Sequence, residues 1–397
     1  MNYNKRSVTD VDLSGKRVLL RCDFNVPLDP ETGKITSDTR ILATLPTIEY
    51  LLQQGASVVA CSHLGKPKGV VKPELSLAPV AHRLSALLER PVEFASDAVG
   101  PDAKAKAAAL KPGDVLLLEN LRFDIREEKN DPEFAKELAS LGDVFVDDAF
   151  GTVHRAHAST AGVAAFLPAY AGLLLEKELS VMGKALDVPS RPLVSILGGA
   201  KISDKLGVIS NLLDKADTLV IGGGMAFTFI KALGGSVGRS LVDESKIDYC
   251  MDMIKKALPK NVRFILPVDA VAAKEISADA EWKIFPADQI PDDYMGLDIG
   301  PETRKLFAEA VSGAGTVIWN GPMGVFEYPA FAEGTAAVAK AMVETEAVTI
   351  VGGGDSASAI EHLGFASRVT HVSTGGGASL EFMEGKELPG IACLLDR

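Results

Sequence analysis

The chain has 397 residues, 47% of them hydrophobic and 24% charged, a balance that excludes a disordered or fibrous protein. That length exceeds what one hydrophobic core usually serves, so two domains are expected. A formal charge of −12 argues against a general nucleic-acid binder, which needs a basic face, but allows a local basic pocket around a small anion.

In chain order, short apolar runs predict strands at 17–21, 57–61, 115–118 and 144–146 in the first half. Further runs lie at 193–197, 218–221, 262–266, 316–319, 348–351 and 370–373. Most are continuously apolar, as strands covered on both faces are. Helical patterns separate them, including 41–54, 78–89, 132–141, 244–258 and 331–344. Such alternation implies parallel sheets with helices on both faces. One helix, 173–186, stopped by Pro189 and Pro192, marks the boundary between halves. The expected architecture is α/β: two doubly wound, Rossmann-like parallel-sheet domains joined by that helix.

Ligands of open α/β sheets bind beyond the carboxyl ends of the strands. In the first half those ends carry Arg21-Cys-Asp23-Phe24-Asn25, Ser62-His63-Leu64-Gly65-Lys66, Glu119-Asn120-Leu-Arg122 and Asp147-Asp148, with His154, Arg155 and His157 just beyond. Arginine forks suit a small anion bearing carboxylate or phosphate. In the second half they carry Gly198-Gly199-Ala-Lys201, Gly222–Gly224, Asn320-Gly321-Pro322, Gly352-Gly353-Gly354-Asp355-Ser356 and Thr374–Gly377. Bare backbone at a helix start suits close approach by a nucleotide. Lys201 and Lys205, four apart, are expected on one side of a helix whose other face is Ile202, Leu206, Ile209 and Leu213. Glycines also close ordinary turns, strand-end arginines also make surface ion pairs, and histidines are often simply packed. The sorting of the two sets by half is what those readings leave unexplained.

No GxxxxGK(S/T) loop occurs, and the run from Gly352 lacks the downstream acid that holds a ribose. Asp355 reads as a Mg²⁺ ligand beside a triphosphate, or else as the N-cap of the next helix. The residues therefore point to phosphoryl transfer between a nucleotide in one half and an anionic acceptor in the other. No general base stands out, which fits an acceptor already ionised, such as a carboxylate. Four scattered cysteines without zinc-like spacing fit a reducing compartment. The N-terminus shows no apolar signal-peptide core, and no run approaches a membrane span, so a cytoplasmic location is expected.

From end to end the chain resembles the phosphoglycerate kinase family. The resemblance rests on VLLRCDFNVP, DTRILATLPTI, SHLGKP, LENLRF, DAFGTVHRAHAST, LGGAKISDKL, IGGGMAFTF, WNGPMGVFE, VGGGDS and STGGGASLE, in that order. It implies Mg²⁺-dependent, reversible transfer between ATP and the carboxylate of 3-phosphoglycerate, giving ADP and 1,3-bisphosphoglycerate, within glycolysis. It implies that Asp23, Asn25, Arg40, His63, Arg122 and Arg155 hold 3-phosphoglycerate, with Phe24, Leu64, Gly65 and Lys66 beside them. Arg40 would lie closest to the reacting carboxylate. Lys201 would meet the phosphoryl group in flight, and Lys205 would bind nucleotide phosphate. Gly199, Gly223, Asn320, Glu327, Gly353, Gly354 and Ser356 would complete the nucleotide site, with Asp355 holding the metal. The implied domains are 1–172 with about 381–397, a linking helix at 173–189, and 190–380. They would face a central cleft, hinged at the ends of the helix and near Ser373–Gly377, in a monomer without membrane or nucleic-acid partners. Cys22, Lys66 and Ser356 depart from common family residues; Lys66 cannot make a bidentate fork. A nicotinamide-dependent dehydrogenase and a non-catalytic metabolite-binding protein are the alternatives from other classes. Nicotinamide binding would mark the first, and the second would not need both lysines.

Overall fold

Tertiary contacts divide the chain into two units. The first runs up to Ser180 and takes in Glu387–Arg397; the second is Val181–Lys386. The computed structural model describes residues 3–397. The division falls inside the helix Leu173–Asp187 rather than at its ends.

In the first unit the strands are β1 (Arg17–Arg21), β2 (Ser57–Cys61), β3 (Val92–Phe94), β4 (Val115–Leu117), β5 (Val144–Asp147) and β6 (Ala169–Ala171). They pair in parallel in the order β3-β4-β2-β1-β5-β6. Helix Thr39–Gln53 turns Ile41, Ile48 and Leu51 inward, a helical repeat that packs with Val18, Leu20, Val58 and Val146 of the sheet. Each such side chain removed from water contributes about 1.5–3 kcal/mol before entropy is counted. The C-terminal segment is stitched into this unit. Leu388 and Ile391 are fully buried, and Leu395 N–H donates to Ala169 C=O. Lys5 pairs with Asp396 at 2.7 Å.

In the second unit they are β7 (Leu193–Leu197), β8 (Thr218–Ile221), β9 (Ser236–Val237), β10 (Arg263–Ile265), β11 (Asp269–Ala273), β12 (Trp282–Pro286), β13 (Gln289–Ile290), β14 (Met295–Ile299), β15 (Thr316–Asn320), β16 (Val348–Gly352) and β17 (His371–Val372). The main sheet is again six parallel strands, in the order β10-β8-β7-β15-β16-β17. A three-stranded antiparallel sheet, β12-β11-β14, accompanies it. Sequence reasoning does not anticipate that sheet. β11 is alanine-rich, and β12 is mostly exposed, so neither shows the apolar run of a buried strand.

Both main sheets reverse direction of growth once. In the first unit the chain moves from β1 outward to β2, then returns to place β5 on the other side of β1. In the second it moves from β7 to β8, then returns with β15. Such switch points open a crevice at the carboxyl ends of the flanking strands. The two crevices fall at Arg21 with Asp147 and at Gly198 with Asn320. Among the described residues no helix is long and apolar enough to cross a membrane, and all four cysteines are free.

Candidate active site

At the first switch point the loops after β1, β2 and β4 hold one another. Asn25 Oδ1 accepts from Gly65 N–H at 2.9 Å, and Arg122 Nη1 donates to Gly65 C=O at 2.9 Å. Asn120 accepts from Leu64 N–H and donates to Leu64 C=O, closing the same loop. Arg40, on helix Thr39–Gln53, pairs with Asp23. The turn after β2 is thus pinned on both sides, and the arginines are aimed rather than free.

The electrostatics derive from the packing. His63 is 4% exposed. Its pKa lies well below the ordinary value, first because it is buried, then because Arg21, Arg122, Arg40 and Arg155 surround it. The structure therefore gathers four guanidinium groups around one neutral imidazole. Burial likewise takes His157 down to about 4, helped by Arg122, Arg21 and Arg155. Arg155 Nε donates to His154 Nε2 at 3.2 Å. Arg122 is only 2% exposed, yet its Nε and Nη2 have no hydrogen-bond partner; the nearest carboxylate oxygen, on Glu128, is 3.6 Å from Nε. Buried donors without acceptors are costly, and a bound anion removes that cost.

Two expected contact residues behave differently. Phe24 and Leu64 are core side chains, so only their backbone can border a ligand. Phe24 N–H is itself used, donating to Ser62 Oγ at 2.8 Å. Lys66 is exposed.

At the second switch point the glycine turns pack backbone on backbone. Gly199 N–H donates to Pro322 C=O at 2.8 Å. Gly223 has φ +65°, and a Cβ there would meet Gly199 N at 2.5 Å, so a larger residue would force the turn open. A pocket of about 270 Å³ opens beside these turns. Gly199, Gly223, Gly224 and Pro322 line it, as do Met295 to Ile299 of β14, together with Glu327 and Asp355. Phe227, Arg239 and Asp298 also line it and are not legible from strand ends. They come from helix Ala226–Ala232, a loop and the antiparallel sheet. Only Asp298, an acid inside an apolar strand, gives any signal. Its carboxyl is buried and pushed up to about 7 by that burial, against the pull of Gly334 N–H.

Lys201, Lys205, Asn320, Gly353, Gly354 and Ser356 do not line this pocket. Lys205 is nevertheless tied to its edge: its ammonium feels the charge of pocket-lining Asp355 and donates to Asn320 Oδ1. Burial lowers the Lys205 pKa to about 8, which Asp204 and Asp355 partly offset. Ser356 is buried, and its hydroxyl accepts from Gly321 N–H at 2.6 Å. The two lysines do not share a face. Residues Ile202–Lys205 form a 3₁₀ turn before the α-helix Leu206–Leu212, and Lys201 lies in extended backbone ahead of both. The tighter turn breaks the four-residue register, leaving Lys201 exposed and Lys205 buried.

Asp355 does not cap its helix. That helix is Gly354–His362 with Gly353 as N-cap, and the Asp355 carboxylate makes no capping hydrogen bond. Among the described residues no three His, Cys, Asp or Glu groups gather as a metal cage. A single carboxylate such as that of Asp355 can still serve Mg²⁺, because that ion takes its other ligands from water and nucleotide phosphates.

A family model described as phosphoglycerate kinase matches residues 8–386. The chain belongs to the phosphoglycerate kinase family. It is therefore a kinase whose acceptor is a carboxyl group. A phosphoglycerate kinase of Clostridium novyi (strain NT) is 58% identical over 400 residues, covering all of both chains. One from Clostridium botulinum (strain Hall) is 57% identical with the same coverage. Among solved structures, the phosphoglycerate kinase of Coxiella burnetii matches with a TM-score of 0.90 at 45% identity, covering 98% of each chain. That of Pyrococcus horikoshii OT3 matches with a TM-score of 0.84 at 35% identity and 98% coverage of each. The doubly wound folds of the two units agree with this membership.

Proposed function

We propose that the chain catalyses reversible, Mg²⁺-dependent phosphoryl transfer between ATP and the carboxylate of 3-phosphoglycerate, as a cytoplasmic monomer serving glycolysis. In this reading Arg40, Arg122, Arg155, His63, Asp23 and Asn25 hold 3-phosphoglycerate. The observation that carries it is the pair of buried, unpartnered donors on Arg122 among four arginines. Nucleotide occupies the pocket beside Gly199 and Gly223, with Lys205, Asn320 and the Gly353–Gly354 turn at its phosphates and Glu327 at its ribose. Asp355 would hold Mg²⁺ beside the nucleotide phosphates, where the ion would supply positive charge.

The carboxylate acceptor is ionised at neutral pH and needs no base. Catalysis then reduces to alignment and charge neutralisation, the first by the Asp23–Arg40 pair, the second by Arg40 and the lysines. The attacking carboxylate oxygen must come within about 3–3.5 Å of the phosphorus it attacks, so both substrates must be bound together. A coupled assay for 1,3-bisphosphoglycerate tests this directly. Turnover is expected to require ATP, 3-phosphoglycerate and Mg²⁺ together. Turnover without 3-phosphoglycerate, or undiminished by a magnesium chelator, would contradict it.

A further inference from the structure

Arg21 is fully buried at the end of β1, directly beneath the acceptor site. Its donors are distributed in a definite direction. Nε donates to Ser159 Oγ at 2.8 Å, Nη1 to Cys22 C=O, and Nη2 meets His63 Nδ1 at 3.2 Å. A guanidinium has no acceptor, so Ser159 must spend its own proton elsewhere. It does so on Glu127, whose Oε1 accepts from Ser159 Oγ while Oε2 accepts from Ser159 N–H at 3.0 Å. Glu127 is as deeply buried as Arg21. The same logic applies at the other end. His63 Nδ1 can only accept from Arg21, so the neutral ring must carry its proton on Nε2. Nε2 has no partner among the described residues.

We infer that Arg21 is a positioning residue for the acceptor: held by the Glu127–Ser159 relay, it locks His63 as the Nε2–H tautomer and so presents an uncharged N–H donor to the bound anion. The inference rests on the reading that 3-phosphoglycerate binds beside His63. The division of labour has a physical purpose. Arg40, Arg122 and Arg155 already supply positive charge around the ring. A charged imidazolium among them would be repelled, whereas an unconstrained ring would also populate the tautomer that presents an acceptor lone pair to the anion. Arg21 removes that choice, and buried Glu127, with Asp147 also within its field, supplies counter-charge for the guanidinium. Arg21 itself has no route to the ligand, since no part of it is exposed.

The test is ¹⁵N NMR of the histidine rings. The chain has only six histidines, and a His63→Gln variant assigns the resonance. In the wild-type protein at neutral pH, His63 is expected to show a protonated Nε2 and an unprotonated, hydrogen-bonded Nδ1. A protonated Nδ1, or an imidazolium, would overturn the inference without touching the site reading. Arg21→Met alone strands a buried carboxylate, so the functional arm uses the paired variant Arg21→Met with Glu127→Gln. It is expected to mix the His63 tautomers and raise KM for 3-phosphoglycerate about 10–100-fold, the scale seen when a metal-bound imidazole loses its orienting partner. KM for nucleotide should stay unchanged. A folded paired variant with an unaltered tautomer and unaltered 3-phosphoglycerate KM would also overturn it. Saturation with 3-phosphoglycerate that leaves the His63 resonance unmoved would instead sink the site reading on which the inference stands.

Discussion

The Lys205 ammonium donates to Oδ1 of Asn320. An ammonium can only donate, so this contact turns the NH₂ of Asn320 the other way. There Nδ2 is buried without a partner, against the backbone of Gly353, where a Cβ would come within 2.9 Å of it. A lysine beyond β7, an amide ending β15 and a glycine turn beyond β16 thus converge, and leave an unused donor beside a cation. That is the chemistry of a phosphate site.

Lys205→Ala should therefore weaken Mg·ADP binding and lower kcat by about 10²–10³, the usual cost of removing one donor to developing charge. The fold should hold, because Asn320 can then be satisfied by water entering the space. Steady-state kinetics with nucleotide as the varied substrate checks it; a kcat near wild type would show that Lys205 only supports the turn.

The same lysine sets a pH dependence. With its pKa lowered to about 8 by burial, Lys205 is protonated below that value and neutral above it. On the proposed reading the charged form is the one that binds phosphate, so Mg·ADP affinity should fall as pH rises through about 8, with one proton taken up on binding at higher pH. Calorimetry in buffers of different ionisation enthalpy reads both. An affinity flat from about pH 7 to 9.5 would contradict the assignment.

Much of the fold is legible in the chain because buried parallel strands are written as unbroken apolar runs. β1, β2, β7 and β8 stand where Arg17–Arg21, Ser57–Cys61, Leu193–Leu197 and Thr218–Ile221 place them. The residues just beyond each such run then sit at a strand end, which is how Asn25, His63, Gly199 and Asn320 stand out in the sequence as candidates. The short edge strands β3 and β6 and the antiparallel sheet escape, because they are brief, alanine-rich or half exposed. So do contacts between elements distant in sequence. Nothing in the spacing of Arg21, Glu127 and Ser159 announces that one relay joins them, and the 3₁₀ turn that separates Lys201 from Lys205 has no local signal.

Arg40→Ala should leave stability nearly unchanged and depress turnover by about 10²–10³. Its pair with Asp23 is partly solvent-exposed, and such pairs contribute about 0–1 kcal/mol. Thermal unfolding together with kcat tests both halves. A large fall in Tm would make Arg40 structural, and a near wild-type kcat would remove it from the site.

Asp355→Asn should weaken Mg²⁺-dependent nucleotide use more than 3-phosphoglycerate binding. The carboxylate caps nothing, so its loss should not unfold the helix that begins at Gly354. The readout is the Mg²⁺ concentration at half-maximal rate, which should rise. An unchanged magnesium dependence would leave Asp355 without a metal.

Gly223→Ala tests the cradle through backbone strain. With φ at +65° and Gly199 N, Pro322 O and Gly199 O all within 2.8 Å of the new methyl, the turn must open. Strain of this kind costs on the order of 1–3 kcal/mol, read as a lower urea midpoint with unchanged slope. A variant as stable as wild type, binding nucleotide normally, would show the turn to be loose.

The central claim is that the acceptor is held by the arginine cluster of the first unit and the nucleotide by the glycine turns of the second. Calorimetric titration of 3-phosphoglycerate and of Mg·ADP into Arg40→Ala and Lys205→Ala tests it most directly. The account predicts a crossed pattern: Arg40→Ala loses 3-phosphoglycerate affinity and keeps that for Mg·ADP, while Lys205→Ala does the reverse. Loss of 3-phosphoglycerate affinity in Lys205→Ala, with Arg40→Ala binding it normally, would contradict the account.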